Sequence, residues 1–282
     1  MPSVSIYASE FNRHLEQGMA VEQFRYRFLA EGDSWMERSS LLSPSLPDHL
    51  AREMDTNQEP TLIINLARFG DTMRRMGEMA DREFAFWVRQ FAYDAVLLSA
   101  GGNDFIDAAR DPDPGQGILR DMNGQPAPAS GRDCLRPEAV DLLVQTYLNP
   151  NFERLYRVLR ADAGNAGTPL FLNCYDTPVA RNAPTPPFTR AWLYVAYRKN
   201  SIAPQLWPDL TAAVFERIQA AIAGWAAGRP GVFLVGTQGV LQPADPNATG
   251  SSNDWLNEIH PNAAGWRKLA AVWRSAIRPL LP

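Results

Sequence analysis

Short, unbroken apolar runs alternate along this chain with longer stretches of helical period, and that alternation narrows the choice of fold sharply. The runs are Tyr26–Ala30, Leu62–Leu66, Ala95–Ser99, Leu170–Asn173 and Val232–Val235. They are rich in Ile, Leu, Val and Phe and lack a polar alternate, as strands buried on both faces of a parallel sheet do. Between them lie amphipathic stripes: Met76, Met79, Phe84, Trp87, Val88 and Phe91; Phe152, Leu155, Val158 and Leu159; Leu210, Val214, Ile218, Ile222 and Trp225; and Trp266, Leu269, Ala270, Trp273 and Ile277, closed by Pro279. Methionines and aromatics at this spacing read as core material. Strand and helix in alternation predict an α/β fold, a three-layer α/β/α sandwich around a five-stranded parallel sheet. Right-handed crossovers then put the reactive groups beyond the carboxyl ends of the strands.

Residues 25–282 read as a single domain, with 1–24 a tail or an extra helix. Two segments break the rhythm. Residues 110–136 are rich in Pro and Gly, and residues 177–208 mix Pro178, Pro184, Pro186, Pro187, Pro204 and Pro208 with Phe188, Trp192, Tyr194, Tyr197 and Trp207. Loops this long inside a compact domain are usually functional or disordered, and the aromatics of the second argue against disorder there.

Composition removes several functions. With 27 basic against 31 acidic residues and a net charge of −4, no basic stripe offers a nucleic-acid surface. No apolar run approaches the ~20 residues of a membrane span. The first residues lack the cationic head and apolar stretch of a secretory signal, so a cytoplasmic location is expected, with non-classical export left open. Cys134 and Cys174 are too few for a disulfide scaffold or structural zinc site and are expected to be free thiols. Gly-x-Ser-x-Gly, the phosphate-binding Gly-x-x-x-x-Gly-Lys-Ser/Thr, His-Glu-x-x-His and Cys-x-x-Cys are all missing. No metal or cofactor is expected.

The chemistry-bearing residues gather at strand ends. The first run leads into Gly32-Asp33-Ser34, where a serine past a glycine turn can present its Oγ to the strand-end crevice; the bland alternative is a helix cap. The second run leads to Gly70 and the third to Gly101-Gly102-Asn103-Asp104. Glycine lets a backbone N–H approach a ligand, and an asparagine amide is an uncharged donor of the kind an oxyanion needs, although turns use the same residues. Of three histidines, His14 and His49 lie in polar, helix-like contexts and read as surface residues. His260 stands just before the last amphipathic stripe, where a general base could meet a serine from the first strand.

Together these four sites resemble the SGNH hydrolases, the GDSL-type esterases and lipases: Gly32-Asp33-Ser34, Gly70, Gly101 through Asp104, and Asn257 to His260 follow the family's order over residues 26–278. The resemblance implies a flavodoxin-like SGNH hydrolase fold, Ser34 as nucleophile, and His260 as general base. It also implies an oxyanion hole from the N–H groups of Ser34 and Gly70 with the Asn103 side chain. In one place the chain departs from the pattern: the family has Asp three residues before the histidine, and here it is Asn257. Either Asn257 orients the imidazole, or Asp254 reaches round the turn, or Asp176 after the fourth strand supplies the charge; Asn257 is preferred, Asp254 next. Glu258 is expected to face solvent.

The expected activity is serine-dependent hydrolysis of carboxylic esters through an acyl-enzyme, falling below neutral pH as an ordinary histidine protonates. Aromatics in 177–208 favour lipid, lysophospholipid or aryl esters and transient contact with a lipid interface, if they do not simply pack over the sheet. A carbohydrate O-acetylesterase and a non-catalytic binding protein on the same fold are the alternatives.

Overall fold

A computed structural model describes residues 2–37, 44–184 and 189–282. Pro186, Pro187 and Phe188 lie outside the described residues. The strands are β1 (Val4–Tyr7), β2 (Tyr26–Gly32), β3 (Thr61–Asn65), β4 (Ala95–Ser99), β5 (Leu170–Asn173) and β6 (Val232–Val235). They form one six-stranded sheet in the order β1-β3-β2-β4-β5-β6, and every pairing is parallel. The helices are α1 (Phe11–Glu16), α2 (Leu46–Thr56), α3 (Met73–Met79), α4 (Ala85–Val88), α5 (Gly102–Ala109), α6 (Pro137–Leu143), α7 (Asn149–Ala161), α8 (Leu193–Lys199), α9 (Trp207–Ala226) and α10 (Ala263–Ile277). Single π-turns join α3 to α4 and α6 to α7.

The apolar runs become strands because both faces of the sheet are covered. β3 and β4 are buried at each residue. Helices α2 and α10 pack together on one face, and α3, α7 and α9 on the other. Each of these begins where the chain supplies a start: Ser45 and Asp48 close a capping box on α2, Pro208 sits in the first turn of α9, and the Asn262 side chain accepts the N–H groups of Ala264 and Gly265 at the start of α10.

The fold matches the expected sandwich with one strand more than the five read from the sequence. That strand, Val4–Tyr7, comes from the segment expected to be a tail or extra helix. It runs parallel to β3, Val4 opposite Leu62 and Tyr7 opposite Asn65. Only Ile6 of its residues is buried, so a four-residue edge strand left no continuous apolar run. At the opposite edge, Val232–Val235 is a strand but not one covered on both faces: Phe233 and Leu234 are 36% and 41% exposed. The 177–208 segment is not wholly loop, since α8 and the start of α9 lie within it. His49, expected on the surface, is buried on α2, and burial holds its imidazole down at about 4. Cys134 and Cys174 are both free and buried, and burial raises both thiols, Cys174 to about 11.

Order and direction place the crevice. After β2 the chain turns to the face carrying α2; after β4 it turns to the other face with α5. Adjacent strands whose exits diverge open a gap at their carboxyl ends. Gly32 closes β2 there: a Cβ on it would stand 2.5 Å from the carbonyl oxygen of Ser99 on β4. The two strands approach this closely because residue 32 has no side chain.

Candidate active site

Ser34 lies one residue beyond the Asp33 turn that follows β2, with its Oγ 2.8 Å from His260 Nε2. Both residues are buried. The helix-cap alternative for this turn falls to Asp33: its Oδ1 accepts the Trp35 N–H at 3.0 Å and the Ser99 hydroxyl at 3.1 Å. That leaves the serine hydroxyl to the imidazole. Trp35 then ties the turn to the histidine loop, its Nε1–H donating to the Ile259 carbonyl at 3.2 Å.

Gly70 and Asn103 stand beside the serine. Gly70 has φ +74°, a conformation glycine adopts at little cost. Asn103 lies in the first turn of α5, and its Nδ2–H donates to the Asp71 carbonyl at 3.0 Å, while Asp104 accepts the Met73 N–H at 2.8 Å. The loops after β3 and β4 are thus latched to one another. One Nδ2 hydrogen is spent on Asp71; an amide nitrogen carries two. Ser34, Gly70, Asn103 and His260 all line a single cleft of about 190 Å³. Phe69 and Trp192 wall it, and Asp107, Arg110 and Arg190 stand at its rim. The Trp192 ring meets the imidazole edge-on, 5.5 Å between centroids.

The imidazole's other nitrogen meets Asn257. Nδ1 is 3.1 Å from Asn257 Oδ1 and 3.0 Å from its Nδ2. Oδ1 also accepts the N–H groups of Ile259 and His260, at 2.9 and 2.8 Å, which fixes the amide's orientation. A base that takes the serine proton at Nε2 carries its own on Nδ1, and Oδ1 is there to accept it. Asp254 and Asp176, the other candidates, are committed elsewhere. Asp254 accepts the Gln242 N–H at 2.6 Å and pairs with Lys268. Asp176 accepts the N–H groups of Thr177, Gly239 and Leu241, at 2.8, 2.9 and 2.7 Å, stitching the β5 exit to the β6 exit. The structure brings Asn257 to His260, not Asp254 or Asp176.

Burial sets the site's electrostatics. His260 is pushed down to about 3, so it is neutral far into the acid range, and the loss of base just below neutral that an ordinary histidine gives is not expected of it. Asp33 is raised by burial to about 6, although hydrogen bonds from Tyr175, Trp35 and Ser99 favour its charged form.

Glu258, expected in solvent, is fully buried. Its carboxylate accepts the N–H groups of Arg181, Trp192, Leu193 and Tyr194. Burial lifts it to about 7 against those four backbone donors. Arg181 is buried too, its guanidinium donating to the carbonyls of Ala248, Gly250 and Asn257 at 2.8, 2.6 and 2.7 Å. The sequence reading missed both. Only the coincidence of a carboxylate and an arginine with loops far away in sequence gives them work, and a motif of three or four residues does not carry that.

The aromatics of 177–208 divide. Trp192 walls the cleft, and Tyr197 is core, its hydroxyl 3.1 Å from Thr211. Trp207 lines a separate apolar groove of about 540 Å³ with Pro178, Val179, Leu241 and Pro243. Among the described residues, no group of three or more His, Cys, Asp or Glu is placed to hold a metal ion, and no helix is long and apolar enough to cross a membrane.

A profile of the GDSL-like lipase/acylhydrolase family matches residues 30–268. The chain belongs to that family. No curated protein matches it, but solved structures do. An extracellular lipase from Streptomyces rimosus is 17% identical with a TM-score of 0.55, over 89% of this chain and 99% of that one. A lipase from a goat rumen metagenome is 15% identical with a TM-score of 0.52, over 89% and 97%. At such identity the likeness is one of fold, and the parallel sheet flanked by helices is common to this family member and its structural neighbours.

Proposed function

We propose that this family member is a serine esterase that cleaves carboxylic esters through an acyl-enzyme at Ser34. The observation that carries the reading is the 2.8 Å contact between Ser34 Oγ and His260 Nε2, buried at the crevice between β2 and β4. A serine hydroxyl is a weak nucleophile until a base removes its proton as it attacks. His260, held neutral by burial, takes that proton at Nε2, while Asn257 Oδ1 holds the proton on Nδ1. The carbonyl oxygen gains charge as the bond forms, and the N–H groups of Ser34 and Gly70 with the Asn103 amide are the donors for it. His260 returns the proton to the departing alcohol, and a water activated by the same imidazole releases the acid.

Cleft size selects the ester. Pockets that enclose drug-sized ligands run to about 300–1,000 Å³. The space at Ser34, about 190 Å³ between Phe69 and Trp192, is below that. A short acyl group or a single aromatic ring fits it, so aryl and short-chain esters are favoured over long-chain lipids. An O-acetyl sugar is the second reading, since the acetyl group needs no more room than the cleft offers.

The test is hydrolysis of p-nitrophenyl esters from acetate to palmitate, wild type beside Ser34→Ala. Wild type should turn over acetate or butyrate fastest, and the variant should lose at least ~10⁴-fold in kcat. Equal rates from the two proteins would remove Ser34 from the chemistry. A palmitate optimum would overturn the assignment of small esters.

A further inference from the structure

Tyr175 stands where the mechanism has no named part for it, and its conformation is unusual. It has φ +51°, in the left-handed region that a residue with a side chain occupies only when its surroundings insist. It is buried, two residues beyond the end of β5. Its hydroxyl lies 2.5 Å from Asp33 Oδ2 and 3.3 Å from the Gly102 nitrogen. The phenol therefore donates to the residue just before Ser34 and accepts from the residue just before Asn103.

The ring is seated as firmly as the hydroxyl. It meets Trp35 edge-on, centroids 5.1 Å apart. A Cβ at Gly102 would come within 3.1 Å of ring atoms Cε1 and Cζ, so the glycine lets the ring rest on the first turn of α5. Behind Asp33 a line of side chains crosses the sheet ends. Ser99 donates to Asp33, Asn173 Nδ2–H donates to Ser99 Oγ at 3.0 Å, and Thr237 lies 3.4 Å from Asn173 Oδ1. This line fixes one Asp33 oxygen, and Tyr175 fixes the other.

We propose that Tyr175 is a positioning residue, whose hydroxyl sets the distance between the nucleophile turn and the oxyanion donor on α5. Ser34 and Asn103 belong to segments that exit to opposite faces of the sheet, and a misplacement of about 1 Å between reacting groups and their donors can cost ~10²-fold in rate. The inference rests on the esterase reading, because its consequence appears in ester turnover.

The experiment compares wild type with Tyr175→Phe and, separately, Gly102→Ala on p-nitrophenyl acetate. Concentrations are normalised by titrating Ser34 with a fluorophosphonate, and melting temperatures are recorded. Phenylalanine keeps the ring and removes the bridge; alanine at 102 brings a Cβ within 3.1 Å of the ring, so that the ring has to shift. Both should lower kcat by ~10-fold or more with KM within about twofold, because donor placement matters most in the transition state. A change confined to melting temperature, or unchanged kcat in both variants, would overturn the positioning role and leave the esterase standing. A wild type inert toward every ester would remove the esterase reading and this inference with it.

Discussion

The turn that carries Ser34 and the loop that carries His260 meet at 2.8 Å, yet different physics holds each of them. The serine turn grows directly out of the sheet. Its backbone joins β4 through the Asp33 N–H to the Ser99 carbonyl at 2.9 Å, and the Met36 carbonyl accepts from Asn65 at the end of β3 at 2.8 Å. Among the described residues, no strand leads directly into the histidine loop, which lies between β6 and α10. It is pinned by Glu258 gathering four backbone N–H groups, by Arg181 gathering three carbonyls, and by Asp254 pairing with Lys268. One half of the site inherits its geometry from the sheet; the other is held by buried charge. Buried charges are costly to leave unpaired, so this second half should fail more abruptly when a partner is removed.

The sharpest way to test the contrast is at the imidazole's support. Asn257→Ala takes away the acceptor for Nδ1 and the receiver of two backbone N–H groups, and kcat on p-nitrophenyl acetate should fall by roughly 10²–10³-fold, as expected when a base loses its orienting partner. Asp254→Ala should cost less than ~10-fold in kcat, with its damage in melting temperature instead. Equal losses of kcat would make Asp254 the functional partner and undo the present assignment. Next comes Glu258→Gln. Each carboxylate oxygen accepts two backbone N–H groups, so the amide's own N–H₂ must face two of the four donors; residues 190–194 should loosen, with faster amide exchange there and kcat/KM lower by ~10-fold. Exchange unchanged in that stretch would mean that backbone packing alone holds the loop.

The last test lies away from the site, in a carboxyl that the sheet buries and that the Arg68 charge only partly offsets. Glu31 on β2 faces Phe84, Val96, Leu98 and Leu155, and its side chain accepts only the Gly32 N–H among the hydrogen bonds of the described residues. Burial raises it from 4.5 to about 8. The folded chain then holds this proton more tightly than the unfolded one. Its contribution to stability is full below about pH 4.5 and is lost as the pH rises through about 8. Glu31→Gln should flatten that slope, gaining on the order of a few kcal/mol over wild type at pH 8 and little at pH 4.5. Parallel denaturation curves for the two proteins at both pH values would show that Glu31 is not the titrating group.

The same contrast explains what the sequence made legible. β2 through β5 announce themselves because covered strands are continuous apolar runs, and Ser34, Gly70 and Asn103 follow strand ends at short, fixed offsets. β1 was hidden because an edge strand buries only one of its four residues, Ile6. α8 was hidden by the prolines around it. Glu258 was misread because local pattern treats a glutamate beside a polar turn as solvated, whereas the donors that receive it come from Arg181 and residues 192–194. Tyr175 belongs to the same class: its partners, Asp33 and Gly102, are 142 and 73 residues away.

Glu258 also sits two residues from the base and holds the backbone N–H of Trp192, the residue that walls the cleft. Shape selection and proton transfer are therefore geared together. Any remodelling that widens the cleft by shifting Trp192 pulls on the carboxylate of a residue in the loop that carries His260, so this scaffold should yield broader substrate range only in exchange for rate.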